Sequence, residues 1–303
     1  MYHLTASWRV YARLYLLVDL FLVLIAAIGL HLIVKNWSRS RQILTVGAVT
    51  ILVLVDLLTQ ARASQWSYYD MAYTYRWLHT QPQVKVLAEY PMDVPPSDAI
   101  ISYLTAQQIH GKNIINTSRA DSPQKMLQTS ISRLGDAQTL PVLKALGADV
   151  ILSHGTSADG VSGLTLLRKD MRGGFNNVWT YKLNSDVAPV DYAIVPNFNV
   201  IDGGDTKLNH KFAIGGSGSL GFYKLGKTGA KSVTVDIDVS SAATGQPASI
   251  TFSQNGTVLW QGDFSDTAHA TFTADPAKPI DIQATGQPNA PGVLLYNMIA
   301  RNN

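Results

Sequence analysis

The sequence predicts a membrane-anchored α+β chain in three parts: a two-helix transmembrane hairpin over residues 1–64, a small α/β domain with a mostly parallel sheet over 65–189, and a β-sandwich over 190–303. Three observations predict it. Two apolar runs, Leu14 to Val34 and Gln42 to Ala61, each match the ~20 residues that cross a hydrocarbon core. Between Asp70 and Leu183, strand-like and helix-like segments alternate, the pattern of a sheet with helices packed on it. Beyond about Val190 helical patterning stops, and Lys231 to Val239 (KSVTVDIDV) alternates strictly.

In the first part, Trp8, Tyr11 and Tyr15 suit an aromatic interface belt, as do Trp37, Trp66, Tyr68 and Tyr69 at the other run ends. The loop Lys35 to Arg41 carries Lys35, Arg39 and Arg41 with no acid, so the positive-inside rule sets it in the cytoplasm and the C-terminal domains outside. The expected location is the bacterial cytoplasmic membrane. The first run is too long for a signal-peptide core and is followed by a second run, which argues against cleavage. Asp19 and Asp56 are intramembrane polar candidates, either contacting a larger bundle or sitting near the interface.

The charged fraction of 15% fits a chain with apolar spans, and the remainder is long enough for two ordinary domains. A net charge of +3 is too small to indicate nucleic acid. The absence of cysteine excludes a disulfide framework and a thiolate nucleophile or metal site.

In the second part, Asp70 to Thr80 patterns as a short amphipathic helix ending before Pro82, and Val84 to Tyr90 as a strand ending at Pro91. A helix runs from Asp98 to Ile109 with Ser97 as cap and Gly111 as stop, and Asn113 to Asn116 is a short strand. Ser122-Pro123 opens another helix, and Ala137 to Leu146 forms one closed by Gly147. Val150 to Ser153 and Val178 to Leu183 are strands. In the third part, Ala248 to Ser253 and Val258 to Gln261 flank Asn255-Gly256, a strong hairpin signal, and Gly215 to Gly218 is a glycine-rich loop among strands.

Chemistry is sparse. Glu89 at the end of a strand, followed by His110, Lys112 and Asn116, makes a candidate polar cleft, because ligands of open α/β sheets bind at the carboxyl ends of strands; the plainer alternative is that these residues hold the loop. Ser153 and His154 have no acid at a recognisable spacing, and no nucleophile elbow is present. Phe222, Tyr223 and Trp260 are sugar-stacking candidates, or else ordinary sandwich core. Asp202, Asp205, Asp236 and Asp238 show no calcium-loop pattern, and no metal site or cofactor is identified.

The order of parts carries a resemblance. An arginine-led apolar span, a basic loop, a second span with Asp56, the strand end Glu89-Tyr90-Pro91-Met92, the run Gln108-x-His110-Gly111-Lys112-x-Ile114-x-Asn116 and the segment Leu143 to His154 (LKALGADVILSH) resemble the C-terminal part of bacterial GT-C-type membrane glycosyltransferases. The resemblance covers roughly residues 9–185. It implies a lipid-phosphate-linked sugar donor and transfer outside the cytoplasm, with the catalytic carboxylate in an external loop that this chain lacks, so it carries over no catalytic residue. The expectation is therefore an extracytoplasmic tail or split subunit of such an enzyme. It would sit on the lipid bilayer with a multi-span partner or a second copy, and handle a glycan or polyprenyl-phosphate sugar. The alternative is an envelope carbohydrate- or protein-binding module.

Overall fold

The computed structural model describes residues 21–92, 98–116, 123–171, 177–197, 201–202, 212–226, 229–243, 245–287 and 290–303. The chain forms two compact units, 1–69 and 70–303.

The described residues of the first unit are helical over 21–34, within α1, and from Arg39, where α2 begins. Here the expected membrane hairpin, and with it the integral-membrane location, is corrected: among the described residues no helix is long and apolar enough to cross a membrane. A hydrocarbon core of ~30 Å takes ~20 helical residues at ~1.5 Å each. The charge-free stretch of α2 from Ile43 ends at Asp56 and covers about 20 Å. The start of the first expected span, Asp19 included, lies outside the described residues. Large apolar side chains along both helices, Ile25, Leu44 and Leu52 among them, are exposed. Helix α2 is one uninterrupted element, Arg39–His79, where a separate short helix from Asp70 was expected. No glycine or proline falls between Gly47 and Pro82 to break it.

In the second unit, β1 (Val86–Tyr90), β2 (Asn113–Ile114), β3 (Val150–His154), β4 (Leu164–Asp170) and β5 (Val178–Leu183) form a sheet in the order β2-β1-β3-β5-β4. Strand β1 pairs in parallel with both β2 and β3, whereas β5 is antiparallel to β3 and to β4. The sheet is thus mixed rather than mostly parallel. The connections after β3 are too short for the helical crossover that a parallel partner needs. Helices α3 (Asp98–His110), α4 (Pro123–Ser130) and α5 (Thr139–Ala145) supply the crossovers among the first three strands. One face of the sheet, with Leu87, Val150, Leu152 and Val178, packs on Tyr75 and Leu78 of α2 and Ala106 of α3. The other face, with Ala88, Ile151, Trp179 and Tyr181, packs on Leu127, Ile131 and Leu143.

The β-sandwich is present. Strands β6 (Tyr192–Pro196), β9 (Gly216–Lys224), β11 (Ala248–Gln254), β12 (Thr257–Phe264) and β14 (Ile280–Ala284) make one sheet. The other comprises β7 (Ile201–Asp202), β8 (Phe212–Ile214), β10 (Val233–Ser241), β13 (Thr267–Ala274) and β17 (Val293–Asn302). A small ribbon, β15 (Gly286–Gln287) with β16 (Ala290–Pro291), completes the set. The inward residues Val235, Ile237, Val239, Ile250, Phe252 and Ile282 form the shared core, as strand alternation requires. Along β6 the residues also alternate: Tyr192 and Ile194 enter this core, and Ala193 enters the core under the mixed sheet. The two parts therefore share β6.

Candidate functional site

The first cluster of functional side chains lies where the chain leaves β1 in two directions, through α3 to β2 on one side and onward to β3 on the other. Such a switch point at the carboxyl ends of parallel strands is where open α/β sheets bind ligands. Glu89 on β1 is fully buried there, and its Oε2 accepts the Tyr75 hydroxyl at 2.7 Å and faces His154 Nε2, on β3, at 3.0 Å. The Tyr103 ring of α3 stacks on His154 at 5.2 Å between centroids, and the His110 ring lies 5.5 Å from Tyr75. Four rings thus surround one carboxylate.

The cluster has defined proton positions. The Lys112 backbone N–H donates to His110 Nδ1 at 2.9 Å, which leaves Nε2 as the protonated nitrogen of the neutral ring. Burial, with help from the Lys112 charge, holds His110 below its ordinary pKa against the opposing pull of Glu89. Burial, reinforced by the Glu89 charge, drives the Tyr103 phenol well above its ordinary value, so it keeps its proton. Asn116 fixes the carboxylate's own backbone: its Oδ1 accepts the Glu89 N–H at 2.9 Å and its Nδ2 donates to the Glu89 carbonyl at 2.7 Å.

Of the four residues expected to form a polar cleft, the structure gathers Glu89, His110 and Asn116, and they are buried rather than open. Lys112 commits its ammonium to the Gln81 carbonyl at 2.7 Å. Sequence reasoning missed Tyr75, Tyr103 and the pairing of His154 with Glu89. The two partners lie 65 residues apart, and the available signal was that both close neighbouring strands.

The second site is an open cleft of about 960 Å³, lined from the loop before α5, the turn before β4, residues 186–190 and the end of β17. Asp136, Asp159, Asp186 and Arg301 line it, beside apolar Leu140, Val187 and Ile299. Arg301 Nη1 is anchored by Asp236 Oδ2 at 2.6 Å. Tyr181 donates to Asp159 Oδ1 at 2.9 Å while accepting the Ala158 N–H at 2.9 Å. Hydrogen bonds from the Ser157 and Tyr181 hydroxyls hold the Asp159 carboxyl below the usual range, so it remains an ionised acceptor. Gly163 seats the turn: at φ +91° a Cβ there would meet Val187 Cγ2 at 2.7 Å.

The sugar-stacking candidates do not form a platform. Phe222 and Trp260 pack against the sandwich core, Trp260 with its ring centroid 6.0 Å from that of Phe252, while Tyr223 packs on the core beneath the mixed sheet. Asp56 is placed only as a position in α2. Asp236 and Asp238 lie on the outer sandwich face bonded to Thr271, His269, Asn297 and Arg301. Among the described residues no group of three or more His, Asp or Glu is placed to hold a metal ion.

No family model and no curated protein matches the chain. Among solved structures it is similar to a Bacillus thuringiensis Cry1Da tryptic core variant, with 14% identity over 48% of this chain and 31% of that one, at a TM-score of 0.25. It is also similar to a protein described as CBM4, with 16% identity over 51% of this chain and 86% of that one, at 0.19. A third is TmCBM61 in complex with β-1,4-galactotriose, with 10% identity over 37% and 88%, at 0.21. The chain spans under a third of the first of these. Identities and TM-scores this low assign neither family nor activity.

Proposed function

We propose that residues 70–303 form a carbohydrate-binding module that holds a glycan in the cleft between the mixed sheet and the sandwich. The observation that carries this reading is the composition of the cleft wall. Asp159 and Asp186 offer acceptors to hydroxyl pairs, anchored Arg301 offers donors, and Leu140, Val187 and Ile299 offer apolar surface to the C–H faces of a sugar ring. Its volume of about 960 Å³ lies at the upper end of the ~300–1,000 Å³ usual for small-molecule sites, which suits an oligosaccharide. Among the described residues the cleft wall contains no aromatic ring, so recognition here is by hydrogen bonds, not stacking. The resemblance to the tail of a GT-C-type glycosyltransferase is compatible with a glycan ligand and adds no catalytic residue.

The test is a glycan array followed by calorimetric titration of the best ligand with the purified chain. A charged hydrogen bond is worth ~1.5–3 kcal/mol, so Asp159→Asn and Asp186→Asn should each weaken binding about tenfold or more. Absence of any bound glycan, or a ligand whose affinity ignores both substitutions, overturns the proposal.

A further inference from the structure

The layer between the mixed sheet and helices α2 and α3 holds more polar chemistry than its internal hydrogen bonds use. Four buried polar atoms there have no hydrogen-bond partner among the described residues: Glu89 Oε1, Tyr103 Oη, His110 Nε2 and Thr180 Oγ1. All four residues are at most 1% exposed. Thr180 faces the same side as Leu152, its partner across the β3–β5 ladder, and Leu152 belongs to the cluster that packs on α2 and α3. Rings of Tyr75, Tyr103, His110 and His154 enclose the carboxylate.

The needs of these atoms are complementary. Glu89 Oε1 is an acceptor and asks for a donor. Tyr103 O–H and His110 Nε2–H are donors and ask for acceptors, and the Thr180 hydroxyl serves either way. One tetrahedral oxygen supplies that set, since a hydroxyl has one proton and two lone pairs, and water has one proton more. Leaving buried groups unmet is unfavourable at ~1–3 kcal/mol apiece, so such an oxygen has a thermodynamic reason to bind.

We propose that Glu89, Tyr103 and His110, with Thr180 beside them, form a second binding site, distinct from the cleft, for a single hydroxyl oxygen of water or of a small polyol. The site lies at the switch point, where Tyr75 and His154 hold the Glu89 carboxylate and Asn116 holds the Glu89 backbone.

Tyr103→Phe tests the proposal by the sign of its effect on thermal unfolding of the full chain. If an oxygen accepts the Tyr103 proton, removing the hydroxyl forfeits a buried hydrogen bond, and Tm falls by about 2–4 °C. If nothing accepts it, the substitution deletes an unsatisfied polar atom, and Tm stays or rises, which overturns the proposal. Glycerol separates the two sources. Calorimetric binding to the wild type that Tyr103→Phe abolishes identifies a polyol, whereas no glycerol heat together with the lowered Tm identifies water. Glycerol heat that is the same in Tyr103→Phe, with Tm unchanged, overturns the site. Asp159→Asn, which lies in the cleft, should leave the glycerol heat as it was.

Discussion

Replacing Gly163 by alanine, with Gly160→Ala as its control, separates backbone strain from packing in the cleft turn. The two glycines have nearly the same backbone, φ +91° and +89°, a region that an alanine occupies only under strain. They differ in what surrounds them. A Cβ on Gly160 meets nothing within 4 Å, whereas one on Gly163 lies 2.7 Å from Val187 Cγ2 and 3.1 Å from Leu140 Cδ1. The strain at either position is of order 1–3 kcal/mol. Overpacking at Gly163 adds about 1–3 kcal/mol, because Val187 and Leu140 must both move. Gly163→Ala should therefore destabilise by about 2–6 kcal/mol and Gly160→Ala by about 1–3. Equilibrium urea unfolding measures both, with an unchanged slope confirming that the native state alone is perturbed. Equal losses, within about 0.5 kcal/mol, would refute the assignment of Gly163 as the residue that seats Val187 and Leu140. The same shift of those side chains, which line the cleft, should weaken glycan binding in Gly163→Ala.

Gln138→Ala removes a buried amide that accepts the Ile194 N–H at 2.9 Å and donates to the Ile194 carbonyl at 3.0 Å; leaving both backbone groups unmet should cost about 2–4 kcal/mol in urea unfolding, and a loss under about 1 kcal/mol would disprove the role. His110 is buried with its pKa lowered, so the unfolded chain takes up the proton first. Stability from this residue is complete above the unfolded value near 6.5 and falls as pH drops below it, by at most ~1.4 kcal/mol per pH unit. The difference between wild type and His110→Asn should thus shrink on acidification, and a difference constant from about pH 7.5 to 5.5 would contradict it. Asn116→Ala should destabilise by about 2 kcal/mol or more, since it frees both backbone groups of Glu89 inside the core, and protection of the Glu89 amide from hydrogen exchange should fall with it.

Local patterns were legible wherever the sequence alone decides the geometry. Val233 to Ser241 alternates because its two faces meet different surroundings, and the structure buries Val235, Ile237 and Val239 accordingly. Asn255 and Gly256 adopt φ +50° and +77°, the paired positive angles of a tight hairpin turn between β11 and β12. Elements fixed by their partners were not legible. Gly216 to Gly218 has no strand propensity, yet lies in β9 because β14 supplies a ladder opposite it, with Ile282 against Gly218. Leu164 to Asp170 is a strand at the sheet edge whose pairing with β5 shifts register between Leu166 and Arg168, which scrambles the alternation that would have revealed it. The apolar runs before Gln60 raised the opposite problem. Length and hydropathy alone suggested spans, whereas no described helix keeps both properties over the distance a membrane requires.

The site was half legible for a related reason. A polar residue at the end of a strand is visible in sequence; the strand beside it is not. Glu89 and His154 close β1 and β3, and it is the parallel register, with Glu89 opposite Leu152, that brings a carboxylate and an imidazole to 3.0 Å. Side-chain amides hide in the same way. Asn116 bonds both backbone groups of Glu89 just beyond the two-residue β2, continuing a ladder that the strand itself no longer provides. Gln138 does so for Ile194 on β6, whose ladder partner is β9. Gln254 bonds the Asp275 N–H and the Asp275 and Lys278 carbonyls in the turn between β13 and β14. Each amide presents one donor and one acceptor side by side, as a peptide group does, and so substitutes for a missing strand. In sequence these residues look like surface polar positions, yet all three are buried. The rigidity of Glu89 therefore originates in Asn116, a residue expected to help form the cleft, whose observed bonds instead hold in place the backbone that carries the carboxylate.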